Sequence, residues 1–184
     1  MLAWTDTTSH VSTMFTLRCT QRLLHRLKMP GETIEQPPTT RLGDWYANLL
    51  HIGSRQVILA TSERSLLGLF LPAKQAAALP ERLRLAVAQL LEELGVPQHL
   101  IAEEIAAMAE VGIGRTQDRR VLGTMNDLAA QARWRLADDP MADLDRLQRD
   151  LTLMPCGAIG YATSGEKTAA FFGLTWSPHT GRFS

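Results

Sequence analysis

Two neighbouring β-rich runs constrain the fold of this chain more than any other feature of its sequence. The runs Trp45–Ile52 and Arg55–Ser62 are separated by only two residues, the first of which is Gly53. Glycine at this turn position provides the positive φ that a type II′ hairpin requires. In the resulting register Leu49 lies opposite Ile58, and both faces of the hairpin are apolar at its centre. We therefore expect cover on both sides of the hairpin, or its burial within a larger sheet.

The rest of the chain alternates short strands with amphipathic helices, which differ in the period of their apolar residues. The other predicted strands are residues 14–20, 67–71 and 111–116. Two helices are predicted over residues 21–28 and 80–94, and a third begins at Pro97. A fourth helix runs from Met125, or from near Val121, to about Leu136, and a last one begins at Asp139 and Pro140. This order predicts the α+β class: a small, mainly antiparallel sheet (hairpin plus strands) covered by about four to five helices.

The size and composition of the chain indicate one globular domain. Of its 184 residues, 45% are apolar and 21% are charged, which is typical of a protein with a sizeable core. We expect a single α+β domain over residues 14–160. Residues 1–13 lack periodicity and are interpreted as a disordered or spurious N-terminal extension, and residues 161–184 as a loosely ordered tail.

No segment of the sequence indicates export, membrane insertion or a bound cofactor. No apolar run approaches the roughly 18 residues of a spanning helix, and the first residues lack the basic and apolar regions of a signal peptide. We therefore expect a cytoplasmic protein that does not enter membranes, with Cys19 and Cys156 as free thiols. The histidines show no metal-ligand spacing and no cofactor motif is present, so neither a metal nor a cofactor is predicted.

The first strand of the hairpin is one candidate site. Alternation puts Asp44, Tyr46 and Asn48 on the same face. A carboxylate, a phenol and an amide in a row can orient a small ligand. The alternative is structural: Asp44 faces solvent at the start of the strand, while Tyr46 and Asn48 satisfy neighbouring backbone groups.

A basic segment before a predicted helix is the second candidate site. Arg115, Arg119 and Arg120 precede Thr124 and Asp127, which fit a capping box in which Asp replaces Glu. The free N–H groups of such a helix N-terminus attract phosphate, and arginine adds bidentate hydrogen bonds. The alternative is a solvated loop followed by an ordinary cap.

Two further residues extend this basic segment along the predicted helix. Asn126 supplies an amide beside Asp127, and Trp134 lies between two arginines. An exposed tryptophan there would stack on a nucleic-acid base, whereas the alternative is a Trp134 buried in the core.

Four phrases of the sequence are similar in order and spacing to a bacterial family catalogued only as a domain of unknown function. They are MFTLRCTQRLL (14–24), TTRLGDWYANLL (39–50), RVLGTMND (120–127) and MPCG (154–157), and the resemblance covers roughly residues 14–160. It implies no catalytic residue and no ligand. It does imply that Met14 is the natural start, a pattern from which residues 1–13 depart.

Three classes of function are consistent with these observations. The net charge of zero argues against strong general affinity for nucleic acid, but residues 111–136 carry five basic and two acidic groups. Our first hypothesis is a non-enzymatic binding or regulatory module that uses this basic patch on nucleic acid or another polyanion. The second is a module that binds a protein partner. The third is an enzyme for a phosphorylated or nucleotide substrate, which requires Asp44 and the 119–126 segment to line one pocket.

Overall fold

The computed structural model of the chain describes residues 14–52, 54–138, 144–177 and 179–183, so the predictions for residues 1–13, Gly53 and the helix start at Asp139 and Pro140 lie outside it. Its centre is a five-stranded sheet. In chain order the strands are β1 (Met14–Cys19), β2 (Trp45–Ile52), β3 (Arg55–Ser62), β4 (Gly68–Pro72) and β5 (Glu110–Arg115), and in space they are ordered β4-β3-β2-β1-β5.

The sheet is mixed and larger than expected, so the prediction of a small, mainly antiparallel sheet is wrong. The β2–β3 and β3–β4 pairs are antiparallel, and Leu49 lies opposite Ile58 as predicted. Strand β1, however, is parallel both to β2 and to β5. Parallel neighbours need long crossover connections, and the spacing of residues within a strand does not reveal which distant strand it joins.

Six helices accompany the sheet in the part of the chain that the structure describes, slightly more than predicted. They are α1 (Gln21–Leu27), α2 (Leu79–Glu93), α3 (Gln98–Ala107), α4 (Arg119–Asp138), α5 (Leu144–Thr152) and α6 (Ser164–Phe172). None of the helices described is both long and apolar enough to cross a membrane.

The helices cover both faces of the sheet, as the two apolar faces of the hairpin predict. Helices α1, α2, α3 and α6 share one core with Trp45 and Leu49, whereas α4 and α5 share a second core with Tyr46 and Leu50. Alternate residues of the same strand therefore enter two different cores. The second core, beneath α4, carries the candidate site described below.

The end of the chain contains ordered elements that the expectation of a loose tail over residues 161–184 misses. Helix α6 begins with a complete capping box, in which Thr163 and Glu166 each accept the other's backbone N–H. Strands β6 (Trp176–Ser177) and β7 (Arg182–Phe183) then pair with each other. Phe172 and Phe183 are buried in the first core, so this segment packs against the sheet.

The two glycines of β5 allow a loop to close over the edge of the sheet. Glu32 pairs with β5 at Gly114, which brings Ile34 over the glycines. A Cβ atom on Gly112 would lie 2.6 Å from Ile34 Cδ1, so the Ile34 side chain would have to move to accommodate it. These glycines therefore serve the packing of this loop.

Candidate functional site

A cavity of about 520 Å³ lies between helix α4 and the segment that links α5 to α6. Arg119, Arg120, Thr124 and Asp127, all predicted site residues, line it on the side of α4. The opposite wall contains residues 154–158 and Ser164, so the phrases RVLGTMND and MPCG meet at this α4 cavity. Volumes of about 300–1,000 Å³ are typical of small-molecule sites.

One face of α4 carries a row of polar side chains that ends in a tryptophan. Arg120, Thr124, Asp127, Gln131 and Trp134 occur at offsets of 0, 4, 7, 11 and 14 residues, which places them on one face of the helix. The first four line the cavity, and Trp134 follows them with 65% of its surface exposed. We call this row the polar stripe. Another face of α4 packs on the sheet through Val121, Met125, Ala129, Ala132 and Leu136.

Helix α4 begins before Thr124, and the capping box predicted there is wrong. Asp118 caps the helix instead, because its Oδ1 accepts the backbone N–H of Arg120 at 2.7 Å and that of Val121 at 3.4 Å. Thr124 lies inside the helix and donates its hydroxyl hydrogen to Arg120 O at 3.2 Å. Since Asp118 occupies these N–H groups, an anion at the cavity would meet side chains rather than the helix terminus.

The two arginines that line the cavity differ in their engagement with the protein. Arg120 Nη2 donates to Glu63 O at 2.7 Å and lies 3.5 Å from Asp118 Oδ2. Arg119 is exposed, and its guanidinium makes no hydrogen bond or ion pair within the described part of the chain. No group of the described residues therefore competes with a ligand for the hydrogen-bond donors of Arg119.

Cys156 approaches α4 from the opposite wall of the cavity. Its Sγ lies 3.8 Å from Thr124 Oγ1, and the side chain is half-buried. The backbone of Cys156 is held by hydrogen bonds with Ala162 O at 3.0 Å and Tyr161 N at 2.9 Å. Cys19 differs: it is buried in the sheet, where burial raises the pKa of its thiol to about 12 and keeps it protonated at neutral pH.

Asp44 does not line the cavity and does not face solvent. It is fully buried and forms an ion pair with Arg18, with 2.8 Å between Asp44 Oδ2 and Arg18 Nε. Its Oδ1 accepts the backbone N–H of Thr16 at 2.8 Å. Asp44 therefore ties the start of β2 to β1, and the pocket shared with residues 119–126 that the enzyme hypothesis requires is not formed by the described residues.

Tyr46 and Asn48 also bond to neighbouring protein groups. Tyr46 is buried, and its hydroxyl oxygen accepts the backbone N–H of Asp118 at 3.3 Å, which links the hairpin to the start of α4. Burial raises the pKa of Tyr46, so its phenol stays protonated at neutral pH. Asn48 accepts a hydrogen bond from the Thr20 hydroxyl at 3.0 Å.

The family model described as "Domain of unknown function (DUF6933)" matches residues 16–167. The chain belongs to the DUF6933 family. This confirms the resemblance found in the sequence. No curated protein and no solved structure matches the chain. The matched range contains every residue that lines the α4 cavity of this DUF6933 protein and ends within α6.

The remaining predicted residues of this DUF6933 chain occupy three different places. Arg115 ends β5, and its Nε donates to Gly31 O at 3.0 Å, outside the cavity. Asn126 is exposed on α4 and does not line the cavity either. Trp134 is exposed at the end of the polar stripe, so the alternative of a tryptophan buried in the core is wrong.

Several cavity residues were not identified from the sequence. Gln131 was identifiable, because it lies four residues after Asp127 on the same helix. The wall formed by residues 154–158 was not, since the sequence of a loop does not show which helix it approaches. Together the lining offers guanidinium groups at one end and hydroxyl, carboxylate and amide groups further along α4. Among the described residues no group of three or more metal-ligating side chains occurs.

Proposed function

We propose that this DUF6933 protein is a non-enzymatic binding module for single-stranded nucleic acid, which it contacts through the polar stripe of α4. The observation that carries the proposal is the exposure of Trp134 on the helix face that also presents Arg120. Arginine binds phosphate with bidentate hydrogen bonds, and an exposed aromatic ring stacks on bases of any sequence. Single-stranded nucleic acid is the ligand class that uses both features.

The length of the polar stripe suits a short segment of single strand. Arg120 and Trp134 are 14 residues apart, which is a rise of about 21 Å along α4. At a rise of about 3.4 Å per stacked nucleotide, this distance corresponds to about six nucleotides. The α4 cavity lies between the two ends, so a strand that follows the stripe passes over it.

The small number of cationic groups predicts weak, salt-dependent binding. Arg119 is unengaged within the described residues, and Arg120 is partly engaged by Glu63 O. With about two phosphates neutralised, the logarithm of the binding constant should fall by about 1.4 per tenfold rise in salt. Stacking on Trp134 should add about 1–3 kcal/mol that does not depend on salt.

Substitution of the two arginines tests the proposal. R119A/R120A should weaken the binding of a fluorescently labelled DNA octamer at about 50 mM salt, and the loss should shrink as salt rises because the lost contacts release counterions. A Lys pair at these positions should restore part of the affinity, since Lys keeps the charge but not the planar fork. W134A should weaken binding equally at all salt concentrations. The measurement is fluorescence anisotropy.

A matched control separates the polar stripe from general charge. Arg133 is exposed on the same helix but does not line the cavity. R133A removes the same charge as either arginine substitution, and it should change the affinity less. No binding of any octamer at about 50 mM salt, where electrostatic attraction is strong, would overturn the proposal. A protein-binding module would then be the leading hypothesis.

The enzyme alternative has less support. Asp44, which that hypothesis needs beside residues 119–126, is buried and paired with Arg18. Asp127 and Cys156 both line the cavity, but no histidine of the described ranges lines it to act as a partner base.

A further inference from the structure

Asp127 is a carboxylate in the middle of the polar stripe, which begins with Arg120, and it lines the same cavity as Arg119. It is exposed, lines the α4 cavity and makes no hydrogen bond or ion pair within the described part of the chain. A free carboxylate repels phosphate, so Asp127 opposes a ligand that presents only its backbone to the stripe. A part of the ligand that donates hydrogen bonds would instead be attracted to Asp127.

The surroundings of Asp127 suit a flat, partly apolar group. Leu66, Leu128, Leu151 and Met154 contribute apolar walls to the cavity. Gln131 follows Asp127 by four residues on the polar stripe and can both donate and accept hydrogen bonds. A nucleic-acid base has two apolar faces and a hydrogen-bonding edge, and enzymes that bind a single base combine the same two kinds of contact.

The spacing along α4 suits one nucleotide. Asp127 lies seven residues after Arg120, which is about 10 Å along the helix axis. A phosphate held by Arg119 and Arg120 therefore leaves its base at the level of the cavity. The arginines meet the negative part of the nucleotide, and the carboxylate meets a part that is uncharged.

We propose that the α4 cavity holds one base of a nucleotide and that Asp127 selects cytosine or adenine over thymine and uracil. The proposal rests on the proposed function, because it assigns a base to the site whose phosphate binds the arginines. A carboxylate only accepts hydrogen bonds, so it pairs with the amino group of cytosine or adenine. Thymine and uracil present a carbonyl oxygen at that position, which a carboxylate repels. Gln131 Nε2 donates to the adjacent ring nitrogen.

The affinities of two DNA octamers, dC8 and dT8, test this selection at pH 7.5. The wild-type protein should bind dC8 about tenfold more tightly than dT8. In D127N the side chain offers a donor as well as an acceptor, so the ratio should fall to about 1–2. D127N also removes a negative charge that repels the phosphates of both octamers, so the ratio of the two affinities, rather than either affinity alone, is the readout.

The matched control is E92Q, which removes the same charge from an exposed position on α2, across the sheet from α4. It should leave the dC8 to dT8 ratio at its wild-type value. Equal affinities of the wild-type protein for the two octamers, or an unchanged ratio in D127N, would overturn base selection while single-strand binding stands. Binding of neither octamer nor a mononucleotide would overturn both proposals.

Mononucleotides identify the source of the base. CMP and UMP present the same hydrogen-bonding edges as the bases of dC8 and dT8, but they have no neighbouring nucleotides. Preferential binding of CMP without binding of dC8 would support the base site and overturn the single-strand proposal. Preferential binding of dC8 with CMP at least tenfold weaker would support both proposals, because contacts with Trp134 need the neighbouring nucleotides.

Discussion

Glu104 on α3 is a buried carboxylate that holds the loop before β2. Its side chain is 1% exposed. Oε2 accepts the backbone N–H of Arg41 at 2.7 Å, and Oε1 accepts that of Leu42 at 3.1 Å. Burial nevertheless raises the pKa of Glu104 above its usual 4.5, because desolvation of the charge outweighs these hydrogen bonds. The stability of this contact therefore depends on pH.

A substitution of Glu104 should remove this pH dependence. A raised pKa means that the folded chain holds the proton more tightly than the unfolded chain. The stability it contributes is fully present below about pH 4.5 and is lost as pH rises through the folded pKa. The wild-type protein should therefore exceed E104Q in free energy of unfolding by less and less as pH rises from about 4.5. Urea denaturation of both proteins from pH 4 to pH 8 measures this difference in free energy, and a difference that widens with pH would contradict the raised pKa.

The buried pair of Arg18 and Asp44 should couple strongly. Asp44→Ala leaves the Arg18 guanidinium buried without its counter-charge, which costs about 3–5 kcal/mol. The double variant R18M/D44A should lose much less than the sum of the single losses, as a double-mutant cycle by chemical denaturation will show. The exposed ion pair of Arg41 and Glu103 is the control, since Glu103→Ala should cost about 1 kcal/mol or less. Additive losses at Arg18 and Asp44 would disprove the coupling.

At the scale of elements, helix α6 depends on its cap. Thr163 Oγ1 accepts the Glu166 N–H at 3.0 Å, so Thr163→Ala leaves that N–H without its partner. The expected cost is about 1 kcal/mol in the free energy of unfolding, measured by chemical denaturation. Thr175 is exposed in the same part of the chain, and Thr175→Ala should change stability by about 0.5 kcal/mol or less. Equal effects of the two substitutions would contradict the role of the cap.

Elements that local patterns specify were predictable, whereas those set by distant contacts were not. The alternation of apolar residues and a two-residue turn fix the pairing of β2 with β3 residue by residue. The position of β1 between β2 and β5 depends on crossover connections, which leave no local pattern. The capping box of α6 was present in the sequence as Thr163 and Glu166, but the short helix that follows has little amphipathic pattern.

Part of the candidate site was likewise predictable from local pattern, and part of it was not. Arg119, Arg120, Thr124 and Asp127 were predicted together and do line one cavity, because they occupy neighbouring turns of one helix. Arg115 precedes the turn before that helix and lies outside the cavity, where it bonds to Gly31 O. Charge along the sequence therefore indicates a shared surface only where secondary structure keeps the residues on one face.

At the scale of the whole molecule, the sheet separates two cores, and only one of them contains residues from both ends of the sequence. The core beneath α4 draws on residues from Tyr46 to Leu151. The other core begins with Phe15 in the first strand and ends with Phe183 in the last. Because Phe183 N also donates to Leu94 O, the C-terminal segment is joined to the residue that caps the C-terminus of α2 by a hydrogen bond as well as by apolar contact.

Removal of the C-terminal segment should therefore destabilise the whole protein. A chain of residues 1–160 lacks Ala169, Phe172 and Phe183, which are buried in the first core. Loss of one buried phenylalanine side chain typically costs about 3–5 kcal/mol, so the truncated chain should lose at least about 3 kcal/mol in free energy of unfolding. A chain of residues 14–184 is the comparison, and it should stay within about 2 kcal/mol of full length, because the sequence before Met14 has no periodic apolar pattern. Chemical denaturation of both truncated chains and of the full-length chain measures these free energies of unfolding. Full stability of residues 1–160 would mean that residues 161–184 contribute no packing energy, as expected of a loose tail.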